Sequence, residues 1–221
     1  MQIIKFQIAL LAIVWFIIAV PLLFSSAGSA PFIAFLVFAA LERFWEVFFT
    51  AKQNVLARKS RFDWLFVLIA FTYLILMYLV LGERLFFGKT VVPELSILGL
   101  LIFVSAMFLR LWAVRSLGFG WESFISSRPI KVRIKPKIVR TGPYHLMRHP
   151  MYLGTILETL SIPLVLGSYF SFIFAVIVCA PLLVTRAKLE EKESLKKFRK
   201  DYARYIKATG FLWPRLPGVK Q

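Results

Sequence analysis

The stretch Gly142-Pro143-Tyr144-His145-Leu146-Met147-Arg148-His149-Pro150-Met151-Tyr152-Leu153-Gly154 brings two imidazoles, two phenols and a guanidinium to the point where a basic loop meets an apolar run. Gly142-Pro143 specifies a turn, and Pro150 suits the first position of a helix, where its missing N–H costs nothing. The amides of such a helix start can hold an anion. Arg148 would either bind that anion or sit at the level of lipid headgroups, and His149 would either contact a ligand or only cap the helix. His145 and His149 have the i,i+4 spacing that binds metal on a continuous helix. The boundary at Pro150 and the lack of a nearby third ligand argue against that use, so no metal is expected.

Arg186, Glu190 and Glu191 form a second constellation, a cation with carboxylates at i+4 and i+5 at the end of an apolar run. Read alone, this is a surface ion pair worth only ~0.3–0.5 kcal/mol. Adjacent helix positions lie about 100° apart, so Glu190 and Glu191 cannot face one small pocket equally. Glu42, Arg43, Glu46, Arg110 and Glu158 interrupt apolar spans, where an ionised side chain is expensive and faces protein or a water-filled cavity. Glu42 and Glu46 share a helix face. Either they pair structurally with Arg110, or Glu46 and Arg110 line a substrate pocket with Asn54 and Trp121 nearer its mouth.

The elements that must position these groups are membrane helices. A chain of 221 residues with 59% hydrophobic content, 23 Phe and a mean hydropathy of +0.75 cannot bury its apolar side chains in one aqueous domain. Apolar spans run over residues 6–24, 30–49, 62–82, 95–117, 150–166 and 168–186. Each approaches the ~20 residues needed to cross hydrocarbon. The last pair forms a helical hairpin broken around Pro163, Gly167 and Ser168, short enough to be re-entrant. The fold class is therefore an all-α integral membrane protein of about six membrane helices. Lys5 and Ser25–Ala30 imitate the flanks of a signal peptide, but the apolar run between them is long for one, and a retained helix is expected.

The formal charge of +17 does not indicate nucleic acid, because the charges interrupt apolar spans and no recognition module is present. Lys5, the Lys52/Arg58/Lys59/Arg61 loop, the 115–148 loop and the C-terminal tail would share one side, against Arg84 and Lys89 on the other. By the positive-inside rule this multi-pass protein has cytoplasmic termini and a cytoplasmic site. Cys179, the single cysteine, excludes a disulfide framework and a cysteine metal cluster within one chain. Beyond Arg186, Leu195, Phe198, Tyr202, Tyr205 and Ile206 recur at helical steps, predicting an amphipathic C-terminal helix that Pro214 and Pro217 end. Without the acidic pair near its start, this helix could equally lie on an anionic membrane surface. Residues 1–221 are expected to form a single membrane domain, with N-terminal helices over 1–117 and a loop, helical hairpin and C-terminal helix over 118–221.

The run Gly142-Pro143-Tyr144 followed by Arg148-His149-Pro150-x-Tyr152-x-Gly154 resembles the cofactor segment of the isoprenylcysteine carboxyl methyltransferase family. Arg186, Glu190, Glu191, Leu195, Phe198, Tyr202 and Tyr205 resemble its downstream element, and the resemblance covers roughly residues 100–217. One departure is Arg199, where the family commonly has glycine. The resemblance implies S-adenosylmethionine as cofactor, held by Ile138, Val139, Tyr144, Arg148, His149, Pro150, Met151 and Tyr152. It implies catalytic roles for Arg186, Glu190 and Glu191, with Arg186 orienting the acceptor and Glu191 the more sensitive carboxylate. The acceptor would be a lipidic or prenylated oxygen nucleophile, such as an isoprenylcysteine carboxylate, reached from the lipid bilayer. Competing readings are a sterol-type reductase with a nicotinamide cofactor, whose longer N-terminal part is missing, and a small transporter, for which no inverted repeat is visible.

Overall fold

The computed structural model describes residues 64–87, 92–117 and 138–215, together with three helical positions, Phe35, Val37 and Ala39. The first expected span, most of the second, and Glu42, Arg43, Glu46, Asn54 and Trp121 lie outside the described residues. The described residues are helical except for short connections: α1 (Trp64–Phe87), α2 (Pro93–Ser116), a 3-10 turn (Gly142–His145), α3 (Pro150–Leu166), α4 (Tyr169–Phe174), a π-helical turn (Ala175–Cys179), α5 (Ala180–Phe198) and α6 (Lys200–Ala208). Among them, Val67–Arg84, Pro93–Ser116 and the continuous helical stretch Tyr169–Phe198 are long and apolar enough to cross a membrane, while Pro150–Leu166 is a shorter apolar helix. The sequence placed a boundary at Arg186, between a membrane span and a separate charged helix. Instead one helix carries both, because neither proline nor glycine occurs after Pro181 before its end at Phe198. The π-helical turn is accommodated within the same stretch.

The chain falls into two compact units, one within residues 1–98 and 162–179, the other within residues 99–161 and 180–221. In the first, Leu76, Met77 and Val80 of α1 are buried. Glu83, also on α1, accepts hydrogen bonds from the Phe170 and Ser171 amides at 3.1 and 2.9 Å and from Ser171 Oγ at 2.8 Å. One carboxylate thereby caps the start of α4, whose own N-cap residue Ser168 contributes no side-chain bond. Here the hairpin expectation needs a correction. Pro163 lies inside α3, and the break comes at Gly167, φ +67°. Gly167 N–H donates to Leu164 C=O at 3.3 Å and Ser168 N–H to Pro163 C=O at 2.8 Å, the paired bonds of a glycine-terminated helix end.

In the second unit, Gly99, Phe103, Ala106, Arg110 and Ala113 recur at steps of three and four and form the buried face of α2. Leu101, Val104, Phe108 and Trp112 point outward. A face with a buried arginine opposite an exposed apolar one is inside-out for a protein in water and correct for one in lipid. Arg110 forms an ion pair with Glu158 of α3, which is fully buried. The expected amphipathic helix at the C-terminus is interrupted at Arg199 and ends at Ala208, ahead of Pro214.

Candidate functional site

The second unit holds both sequence elements, the first of them in and beyond the turn ahead of α3. Gly142 sits at φ +58°, and a Cβ there would run into the Ser116 side chain and lie 3.0 Å from Trp112 Nε1. Glycine is thus required twice, for backbone conformation and for space. Thr141 Oγ1 donates to Ser116 C=O at 3.1 Å, pinning the loop to the end of α2.

From Leu146 to His149 the chain pairs with a segment that follows α6. Gly210 N–H donates to Leu146 C=O (3.1 Å), Arg148 N–H to Gly210 C=O (2.9 Å) and His149 N–H to Phe211 C=O (3.1 Å). Arg215 N–H adds a bond to Leu146 C=O at 3.1 Å, and Met147 and Gly210 form an isolated parallel bridge. These bonds take the amides of Arg148 and His149. Helix geometry leaves those of Met151 and Tyr152 without an intrahelical acceptor.

Arg148 ties the same pieces together by its side chain. Its guanidinium donates to Ile206 C=O at 3.0 Å and to Thr209 C=O, and its Nε pairs with Glu191 Oε1 at 2.8 Å. The Arg148 and Glu191 side chains are only 9% and 16% exposed, so this contact is screened far less than a surface ion pair. Tyr205 fastens α6 to the turn, its hydroxyl donating to Tyr144 C=O at 2.6 Å.

Around this frame stand groups that are not consumed by it. His149 is buried between Tyr152, with ring centroids 5.7 Å apart, and Phe211, 4.9 Å away, both edge-on. Its Nε2 is buried without a hydrogen-bond partner. Burial, reinforced by the Arg148 charge, pushes the imidazole down to about 4, so it is neutral at pH 7. Tyr152 hydrogen-bonds with the Glu190 and Arg186 side chains, and Arg186 pairs with Glu190 at 3.4 Å. Tyr144 is held well above the ordinary phenol range by burial, then by Tyr205 and Glu190, so it remains a neutral hydroxyl. The two carboxylates therefore diverge as their helix positions require: Glu190 faces Tyr144, Tyr152 and Arg186, and Glu191 faces Arg148 and Tyr202.

Ile138 and Val139 are half-buried ahead of the turn, and Met151 is half-buried beside buried Pro150. His145 is exposed whereas His149 is buried. Among the described residues no three His, Cys, Asp or Glu side chains gather as a metal site. Sequence reading missed Thr209, Gly210 and Phe211. The available signal was Thr209-Gly210, a helix stop directly followed by the apolar run Phe211-Leu212-Trp213.

Residues 95–201, which contain the first element and the second as far as Phe198, match the family model described as phospholipid methyltransferase. The similarity to this family thus covers just under half of the chain. Its resemblance to isoprenylcysteine methyltransferases extends over most of its length: the protein-S-isoprenylcysteine O-methyltransferase of Saccharomyces cerevisiae is 25% identical over 197 residues, 85% of this chain and 81% of that protein. The uncharacterized protein YpbQ of Bacillus subtilis is 36% identical over 93 residues, 41% of this chain and 51% of that protein. A steroid 5-alpha-reductase of Solanum lycopersicum is 35% identical over 117 residues, 50% of this chain and 39% of that protein. The chain thus spans about half or less of the length of these last two relatives. Both motif segments fall in the second compact unit.

Proposed function

We propose that this protein transfers a methyl group from S-adenosylmethionine to an oxygen nucleophile on a lipid-linked acceptor, such as an isoprenylcysteine carboxylate, at the cytoplasmic membrane face. The observation that carries the reading is His149: a neutral imidazole with Nε2 buried and unpartnered, packed edge-on against Phe211 and against Tyr152, whose hydroxyl in turn meets Arg186 and Glu190. Buried polar atoms are normally satisfied, and one that is not marks a place for a ligand group. The residues fit the cofactor. S-adenosylmethionine supplies an activated methyl group on a sulfonium, and its transfer to an anionic oxygen neutralises both charges.

In this reading His149 Nε2 and the Met151 and Tyr152 amides bind polar groups of the cofactor, with Ile138 and Val139 contributing backbone contacts. Tyr144 and Tyr152 offer ring faces to a cation, and Glu190 adds negative charge nearby. Arg186 orients an anionic acceptor. Arg148 and Glu191 hold the loop and the C-terminal segment in register. Arg110, buried on α2 and paired with Glu158, is assigned to the acceptor pocket; Glu46, Asn54 and Trp121, assigned to the same pocket, lie outside the described residues. No group need serve as a strong base, since a carboxylate acceptor is already a nucleophile; positioning and exclusion of water supply the rate. The distribution of basic residues supports the cytoplasmic orientation.

Similarity to a steroid 5-alpha-reductase favours a second reading, reduction with a nicotinamide cofactor. Calorimetry on purified protein separates the two. Saturable binding of S-adenosylhomocysteine without binding of reduced nicotinamide cofactor is expected, and the opposite result assigns the protein to the reductases. Transfer of labelled methyl to a prenylcysteine acceptor in proteoliposomes then tests the acceptor class.

A further inference from the structure

The family match ends at residue 201, yet residues Thr209–Arg215 lie directly against the candidate site. We propose that this C-terminal strap is a wall of the cofactor site and that Phe211 is a positioning residue that fixes the His149 imidazole, an inference that rests on the cofactor reading above. Three separate sets of contacts hold the strap in place. The main chain of Gly210 and Phe211 satisfies the amides of Arg148 and His149. The Arg148 guanidinium binds Thr209 C=O and Ile206 C=O while paired with Glu191. The Phe211 ring then packs edge-on against His149 at 4.9 Å, with the Arg148 guanidinium 5.8 Å from its centroid.

Phe211 occupies the position where a polar residue would change the site most. A benzyl ring cannot hydrogen-bond Nε2, so it excludes water from the imidazole without using up the nitrogen. The Phe211 backbone fixes His149 through its carbonyl and the side chain fixes the ring, so one residue sets both ends of the histidine. Arg148 serves as the latch that keeps this arrangement shut. Because Arg148 joins Glu191 and Thr209 to the strap that also carries Phe211, loosening of either contact can be transmitted to His149, although neither contacts the imidazole in the way Phe211 does.

The test uses the full chain in lipid nanodiscs with labelled histidine. The chain has only two histidines, and a His145→Gln background leaves the His149 resonances alone. In Phe211→Ala the His149 midpoint should rise from about 4 by a unit or more toward the ordinary 6.5, because water reaches the ring. Phe211→Met, apolar and of similar bulk, should keep the low midpoint. Affinity for S-adenosylhomocysteine should fall about tenfold in Phe211→Ala, yet change less than about twofold when the same substitution is made in His149→Ala, since residues acting as a unit are not additive. Phe211→Leu keeps the apolar bulk and serves if the alanine variant fails to fold; its shift should be smaller and in the same direction. An unmoved His149 midpoint, or losses of affinity that simply multiply, would overturn the role of Phe211. Absence of S-adenosylhomocysteine binding by the parent protein would instead overturn the cofactor reading, while the midpoint would still decide whether Phe211 positions His149.

Discussion

Replacing Arg199 by glycine is expected to stabilise the protein. Arg199 joins α5 to α6 at φ +45°, ψ −116°, and it is the one non-glycine residue with positive φ among those described. An L-residue in left-handed backbone loses roughly 1–2 kcal/mol to contact between Cβ and the carbonyl. Glycine escapes that cost but surrenders more chain entropy on folding, roughly 0.5–1 kcal/mol. The balance favours glycine by about 1 kcal/mol. The Arg199 side chain is exposed, and the backbone bonds on either side, Arg199 N–H to Leu195 C=O at 2.9 Å and Ala203 N–H to Arg199 C=O at 3.1 Å, do not depend on it. Arg199→Ala is the control, because it removes the guanidinium and keeps the Cβ. For a chain of this size 1 kcal/mol corresponds to about 2–4 °C in Tm. Thermal unfolding in one detergent should place the glycine variant above the alanine variant by that margin. A glycine variant melting at or below the alanine variant would show that the backbone there is not strained.

The carboxylates should separate by assay. Glu191→Gln, which weakens the buried pair with Arg148, should lower Tm by several degrees, whereas Glu190→Gln should melt like the parent and lose turnover; matching Tm values in the two variants would remove the distinction. His149→Ala should weaken S-adenosylhomocysteine binding by ~1–3 kcal/mol in a folded protein, and unchanged affinity by calorimetry removes His149 from the site. Arg186→Lys keeps the charge but loses the planar fork, so kcat should fall more than cofactor affinity, and equal losses would reassign Arg186 to the cofactor. The depressed His149 predicts a pH effect: unfolded chains take up this proton below 6.5 and folded ones only near 4, so the stability due to neutral His149 is complete above 6.5 and falls as pH drops toward 4. His149→Gln should flatten that part of the Tm–pH curve, and parallel curves would contradict it.

Much of the frame was legible because it is local. Pro150 announces the start of α3, and the apolar run beyond it fixes a helix whose observed bounds, Pro150–Leu166, are those read from sequence. The end of that helix was less so, since a proline and a glycine both invite a break and only packing decides; buried Pro163 continues the helix and Gly167 ends it. The departure at Arg199 was visible as a residue in the place of glycine, and its positive φ gives that departure a physical meaning. What periodicity could not show was the strap. Arg148 and Thr209 lie 61 residues apart, and nothing in either segment specifies that a guanidinium will find that carbonyl. The partner of Arg110 was equally open in sequence, and its contact with Glu158 spans 48 residues.

That separation governs how the helices must enter the bilayer. At roughly 5–20 residues per second a ribosome needs about 2–10 s to make the stretch between Arg110 and Glu158, so α2 is delivered to the insertion machinery before that carboxylate exists. On insertion scales an arginine at a helix centre costs about 2.5–3.5 kcal/mol, and the cost is smaller toward the end, where Arg110 lies in α2. Retaining α2 beside the translocon until α3 arrives avoids releasing that charge into lipid without the Glu158 carboxylate. Removal of Glu158 would consequently show itself first as poor membrane integration of a newly made chain, and replacement of both charges together as a milder defect than replacement of either one.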